Sequence, residues 1–188
     1  LDAKNGDSLM LVAPSDHVIP DAEGFRGAVT AAVPTALAGQ IVTFGIRPDR
    51  AETGYGWLEL TTRASEGSSP SPQPLGSFVE KPNTETAKAL LEDGMHLWNA
   101  GIFLFSTSTI FQAFVEYAPE TLAGVHSAHS AAETDLGFTR LAPKPWSELE
   151  DISIDYAVME RALNLSVMPY SGVWSDLGDW QAIWREGE

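Results

Sequence analysis

"LMLVAPSDHVIPDAEGFRGAVTAAVPTALAGQIVTFGI" (residues 9–46) decides the fold in one pass. Leu9 to Ala13 is a continuous apolar run, the pattern of a strand buried in a sheet. Phe25, Val29, Ala32, Val33, Ala36 and Leu37 recur at helical spacing and predict a helix from Phe25 to Leu37. Pro34 has no N–H to donate and should end or kink that helix, with Gly39 as the stop beyond it. Ile41 to Ile46 reads as a second buried strand. Strand, helix, strand is the repeating unit of α/β sheets.

The rest of the chain continues the alternation. "TGYGWLELT" alternates from Tyr55 onward and predicts a third strand. The Ser/Pro/Gly-rich stretch from Arg63 to Gly76 reads as a mobile loop. "SFVE" is a short strand stopped by Lys81-Pro82, and Thr84 to Leu91 a helix capped by Asn83 or Thr84. "NAGIFLFS" (Asn99 to Ser106) and "LSVMPY" (Leu165 to Tyr170) are strands. Helices are expected at Ile110 to Tyr117, Glu120 to His129 and Ser153 to Leu163. A last one, Trp180 to Arg185, would be capped by Asp179. The fold class is therefore α/β, with a largely parallel sheet and no internal repeat. In such sheets ligands bind beyond the carboxyl ends of the strands.

Composition narrows the function. The 188 residues suit a single domain. A net charge of −15, from 26 Asp and Glu against 11 Lys and Arg, excludes a nucleic-acid groove. It does not exclude a phosphate-bearing small molecule, because a bound metal ion reverses the local field. With no cysteine there is no disulfide framework, thiolate metal site or catalytic thiol, which fits a cytoplasmic location. No apolar run is long enough to cross a bilayer, so no membrane partner is expected, and no signal peptide is read at the start. "LDAKNGDSLM" lacks an initiator methionine and reads as a helix end running into a strand, so a fragment is expected.

Polar residues flanking the strands are the candidates for chemistry. Asp16 follows the first strand, Glu80 and Lys81 follow another, Asn99 opens a third and Asp176 follows the last apolar segment. Hard divalent cations take oxygen ligands, and magnesium is commonly held by one or two carboxylates with phosphate oxygens and water. A lysine nearby neutralises phosphate, while glutamate and asparagine suit sugar hydroxyls. Phosphoryl or nucleotidyl transfer then needs no nucleophile from the protein, only alignment and charge stabilisation. Singly, each residue has a plainer reading. Asp16 and Asp176 read as turn or helix caps, His17 as a surface or hydrogen-bonding residue, Glu80-Lys81 as a solvated strand end. Trp98, Trp174, Trp180 and Trp184 read as core.

Together they carry a resemblance. "LVAPSDHVI", "TFGIRPDRAETGYGWLEL", "FVEKPNTETAKALL", "WNAGIFLF", "SIDYAVMER" and "WSDLGDW", in this order, resemble the bacterial mannose-1-phosphate guanylyltransferases. The resemblance runs from about Leu9 to Trp184 and implies a Rossmann-like nucleotidyltransferase fold with a mixed, mostly parallel sheet over residues 1–188. It implies that mannose 1-phosphate attacks the α-phosphorus of GTP, giving GDP-mannose and pyrophosphate, with Mg2+ or Mn2+ assisting. By motif, Asp16 and Asp176 would be metal ligands, Glu80 would bind mannose hydroxyls and Lys81 the phosphate. Asn99 would touch the sugar, Gly54 would let the backbone approach sugar or phosphate, and Asp155 would support the sugar side.

One departure is large. The family's glycine-rich triphosphate loop, of the type GGxGxRLWPxSR, and its base-recognising segment are missing. The chain is therefore expected to be the sugar- and metal-binding part of a catalytic domain, with little activity alone. Base specificity and homo-oligomer formation stay open. Rival readings are another sugar-1-phosphate nucleotidyltransferase, a metal-dependent glycosyltransferase of similar fold, and a non-catalytic nucleotide-sugar-binding paralogue.

Overall fold

The computed structural model describes residues 6–62 and 71–178. In chain order the elements are β1 (Leu9–Val12), α1 (Ala22–Leu37), β2 (Ile41–Ile46), β3 (Trp57–Leu60), β4 (Gln73–Val79), α2 (Thr84–Asp93) and β5 (His96–Ser106). Then follow α3 (Thr107–Tyr117), α4 (Pro119–Ser130), β6 (Glu133–Asp135), β7 (Phe138–Arg140), α5 (Pro143–Ser147), a π-helical turn (Asp155–Met159) and β8 (Leu165–Tyr170). They fall into two compact units, Leu1–Thr109 with Leu163–Glu188, and Ile110–Ala162.

The first unit is built on a six-stranded sheet in the order β1-β5-β2-β8-β4-β3, with β3 also pairing β5. β2 and β8 run parallel, in register from Ile41–Leu165 to Ile46–Tyr170. Every other described pairing in that sheet is antiparallel, which corrects the expectation of a mostly parallel sheet within a mixed α/β fold. Alternating strands and helices predict layers, but not strand direction. The eleven-residue β5 runs against β1, β2 and β3, and so imposes the antiparallel character.

β2 is the centre of this unit, with all six residues buried. On one sheet face, Ala28, Ala32 and Ala36 of α1 lie one helical turn apart and bring the helix close to Val42, Phe44, Ala100, Ile102 and Met168. On the other face Leu58, Leu60, Leu97 and Val167 form a smaller cluster. Each such fully buried large side chain contributes roughly 1.5–3 kcal/mol. Gly45 belongs here for space alone: a Cβ on it would lie 2.6 Å from Leu97 Cδ1 and 2.8 Å from Val167 Cγ2.

Local signals explain most boundaries. Asp21 caps α1 by accepting from the Gly24 N–H at 2.9 Å, which starts the helix earlier than its apolar pattern suggests. The helix runs through Pro34 to Leu37, and Gly39 turns the chain at φ +86°. Asn83 caps α2 through the Thr86 N–H at 2.9 Å, and Gly94 ends it at φ +66°. β1 is a strand but not a buried one. It pairs only β5 among the described strands and leaves Leu11 and Val12 exposed, because an apolar run reports composition and not cover.

The second unit holds most of α3, then α4, the β6–β7 hairpin, α5 and the π-helical turn. The sequence pattern does not predict the hairpin or α5. The helix expected over Ser153 to Leu163 is instead the five-residue π turn, where the Glu160 N–H reaches the Asp155 carbonyl at 2.9 Å. That turn buries Ala157, Val158 and Met159. The expected Asp179 cap and Trp180 to Arg185 helix lie outside the described residues, as do residues 63–70 of the Ser/Pro loop.

Candidate active site

Strand direction gathers the candidates at one end of the first unit's sheet. β2 and β8 end together at Ile46 and Tyr170, and the segments bearing Arg50 and Asp176 follow them. β1 runs antiparallel to β5 and so points its carboxyl end, and Asp16, the same way. Trp57 pairs with both Trp98 and Val79. Tyr55-Gly56 before β3, Glu80-Lys81 after β4, and Asn99 in β5 therefore share this end.

A backbone bridge ties the two aspartate segments. The Val18 N–H donates to the Ser175 carbonyl at 2.8 Å, and the Ser175 N–H returns to the Val18 carbonyl at 3.1 Å. His17 packs edge-on to Trp174, whose indole N–H donates to His17 Nδ1 at 3.3 Å. Burial depresses the His17 pKa, and the charges of Asp16 and Asp176 oppose that shift. Both carboxylates thus act on one imidazole, whose Nδ1 is an acceptor.

Tyr55 is the residue that sequence reasoning passed over. Its hydroxyl donates to Asp176 Oδ1 at 2.7 Å, and its carbonyl accepts from the Lys81 N–H at 3.2 Å. Its ring packs edge-on to Trp98 and Trp174, with the Arg50 guanidinium over Trp98 at 4.7 Å. Burial first, then the hydrogen bond to Asp176, pushes the Tyr55 hydroxyl far above its ordinary value, so it stays a donor. The only sequence signal was an aromatic inside the glycine turn "TGYG". A cavity of about 280 Å³ is lined by Arg47, Arg50, Tyr55, Trp98 and Trp174 among others.

The sugar-directed candidates meet around Gly56. The Gly56 carbonyl accepts from the Asn99 N–H at 2.7 Å. A Cβ on Gly56 would stand 2.5 Å from Glu80 Oε2 and 3.2 Å from Asn99 Cβ, so only glycine lets the two side chains close together. The Glu80 side chain is 7% exposed, with Oε1 3.5 Å from Lys81 Nζ. Asn99 Oδ1 accepts from Thr43 Oγ1 at 2.8 Å and from the Gly101 N–H at 3.2 Å, which fixes the amide so that Nδ2 is its donor side.

The remaining two candidates are Gly54 and Asp155. The Gly54 N–H donates to Glu52 Oε1 at 3.0 Å, inside a turn that Glu52 also closes through Thr53 and Arg50. Asp155 lies in the second unit, in the π-helical turn.

Residues 1–188 match the family model described as nucleotidyl transferase. The chain belongs to the nucleotidyl transferase family. Among curated relatives, the mannose-1-phosphate guanylyltransferase of Sinorhizobium fredii is 42% identical over 182 residues, 97% of this chain and 35% of that protein. This nucleotidyl transferase chain therefore spans about a third of the relatives it matches. A crystal structure titled mannose-6-phosphate isomerase from Helicobacter pylori superposes with a TM-score of 0.79 at 29% identity, covering 89% of this chain and 63% of that one. Another, titled mannose-1-phosphate geranyltransferase and from Thermus thermophilus, gives 0.77 at 32% identity, covering 94% and 49%.

A divalent cation suits the donor set of this nucleotidyl transferase. Among the described residues no three His, Cys, Asp or Glu side chains converge to hold a metal by themselves. Two carboxylates on bridged segments leave the other coordination positions to phosphate oxygens and water, the arrangement magnesium favours. Asp176 Oδ1 already accepts from the Tyr55 hydroxyl and from the Gly178 N–H at 3.1 Å, so Oδ2 is the oxygen that a cation would meet. No helix among the described residues is long and apolar enough to cross a membrane.

Proposed function

We propose that this chain is the sugar- and metal-binding part of a mannose-1-phosphate guanylyltransferase, acting in the cytoplasm. The protein would join mannose 1-phosphate to GTP, giving GDP-mannose and pyrophosphate. One observation carries the reading: the bridged segments bearing Asp16 and Asp176 share a sheet end with a buried Glu80 beside Lys81. The names and identity of the curated relatives support the mannose and guanylyl assignments.

The chemistry follows from the groups. A phosphate oxygen of mannose 1-phosphate attacks the α-phosphorus of GTP. The bond from that phosphorus to the β-bridging oxygen breaks, and pyrophosphate leaves with the electron pair. Glu80 accepts hydrogen bonds from mannose hydroxyls, and Asn99 Nδ2 donates to one. Lys81 offsets the charge of the sugar phosphate. Gly56 lets the Glu80 and Asn99 side chains close together toward the sugar, and Gly54 in the same "TGYG" turn would let the backbone approach sugar or phosphate. Asp16 and Asp176 would hold a magnesium ion, which when bound neutralises charge spreading over the phosphates. None of these residues is a nucleophile, so the acceleration comes from alignment and electrostatics.

The reading is tested by calorimetric titration of the chain with mannose 1-phosphate and with glucose 1-phosphate, each with magnesium. The sugars differ in the orientation of one hydroxyl. A hydrogen bond gained or lost there corresponds to roughly tenfold in affinity. Tighter binding of the mannose compound is expected. Equal affinity, or a preference for glucose 1-phosphate, would move the substrate to another hexose 1-phosphate.

A further inference from the structure

We infer that Tyr55 is a positioning residue that selects which oxygen of Asp176 faces the cation. The inference rests on the proposed role of Asp176 as a metal ligand and adds to it a device in this chain. A free carboxylate can turn about its terminal bond and offer either oxygen, or both. Here Oδ1 receives two donors, the Tyr55 hydroxyl at 2.7 Å and the Gly178 N–H at 3.1 Å. Donors from opposite sides of the chain, one of them 121 residues away, lock the carboxylate plane. Oδ2 is then the oxygen presented.

A separate observation concerns the space at Oδ2. A Cβ on residue 178 would stand 2.6 Å from it, so glycine at that position keeps the oxygen uncovered. Gly178 is not in a left-handed conformation, and backbone geometry alone does not call for glycine there. Tyr55 itself is held firmly. Its ring sits edge-on between Trp98 at 5.3 Å and Trp174 at 5.4 Å, and its carbonyl is bound by the Lys81 N–H. The same residue therefore sets the carboxylate through its side chain and the Glu80-Lys81 strand end through its backbone. Groups behind a metal ligand that fix its orientation commonly change metal affinity by about 10–100-fold when removed.

The test is Mn2+ binding to the chain, followed by loss of the free-ion electron paramagnetic resonance signal in the presence of GDP-mannose. Wild type is compared with Tyr55→Phe, Gly178→Ala and Asp176→Asn. Thermal unfolding midpoints are recorded for each. Tyr55→Phe keeps the ring and removes only the hydroxyl, so its midpoint should stay near that of wild type while Mn2+ affinity falls about tenfold. Gly178→Ala should weaken Mn2+ binding by a similar factor, through cover of Oδ2. Asp176→Asn should abolish it. If Asp176→Asn abolishes binding while Tyr55→Phe and Gly178→Ala leave it unchanged, the positioning role is wrong and the metal reading stands. A Tyr55→Phe chain with a lowered midpoint and unchanged Mn2+ affinity would make the contact structural only. If Asp176→Asn binds Mn2+ like wild type, or wild type binds none, the metal reading fails and this inference with it.

Discussion

Val18 and Ser175 exchange backbone hydrogen bonds in both directions, at 2.8 and 3.1 Å, across nearly the whole described sequence. This bridge, together with the His17–Trp174 contact, ties the segments that bear Asp16 and Asp176, each aspartate within two residues of it. Two carboxylates that hold one ion should behave as a unit when removed. Asp16→Asn and Asp176→Asn should each erase most of the magnesium-dependent gain in GDP-mannose affinity. The double variant should be no worse than the weaker single one. Additive losses, measured by calorimetry in a double-mutant cycle, would mean that the two act separately.

Lys81 separates function from stability. It is a non-glycine residue at φ +45°, a conformation that costs an ordinary side chain about 1 kcal/mol or more. Its ion pair with Glu80 is half exposed on the lysine side and is worth little to folding. Lys81→Gly should therefore unfold at or above the wild-type denaturant midpoint. The same variant should bind mannose 1-phosphate about tenfold more weakly. A drop in stability without loss of binding would reduce Lys81 to a turn residue.

Gly56 and Gly45 form a matched pair. A Cβ on Gly56 would press on Glu80 Oε2 at 2.5 Å, whereas one on Gly45 would press on Leu97 and Val167. Each alanine variant should cost about 1–3 kcal/mol in urea unfolding. Only Gly56→Ala should also abolish sugar-phosphate binding in the protein that remains folded. Equal loss of binding in both would show general damage and no special place for Gly56.

The acid side of the stability curve has a local source. Hydrogen bonds from the Ser108 side chain and backbone, with Thr107, lower the Asp7 pKa from 3.8 to about 2. The carboxylate thereby caps the start of α3. A lowered folded-state pKa gives stability that is complete above the unfolded value and is lost as pH falls through the folded one. The excess stability of wild type over Asp7→Asn should be constant above pH 4 and shrink between pH 4 and 2. An excess that does not change across that window would remove Asp7 as the cause.

Much of this was legible in the sequence, for physical reasons that also set the limits. β2 and β8 announce themselves because a strand covered on both faces must be largely apolar, as Ile41–Ile46 is apart from Thr43. The Asn83 cap follows from side-chain chemistry within three residues. Strand direction does not, because the choice of β5 to run against β1, β2 and β3 is made by long-range pairing. The π turn at Asp155 has the apolar spacing of an ordinary helix and differs by one hydrogen-bond step. In the site, charged residues at strand ends were visible singly. Tyr55 was not, because its part depends on Asp176, 121 residues away. Gly56 was hidden similarly, since only the fold shows that Glu80 and Asn99 close over it.

The central claim is that this chain holds a metal-dependent sugar-phosphate site closed by Asp176. Calorimetric titration with GDP-mannose, with and without magnesium, for wild type and Asp176→Ala, tests it most directly. Binding that needs magnesium and disappears in Asp176→Ala is the predicted result. Magnesium-independent binding that survives Asp176→Ala, or no binding by a chain that circular dichroism shows to be folded, would contradict it.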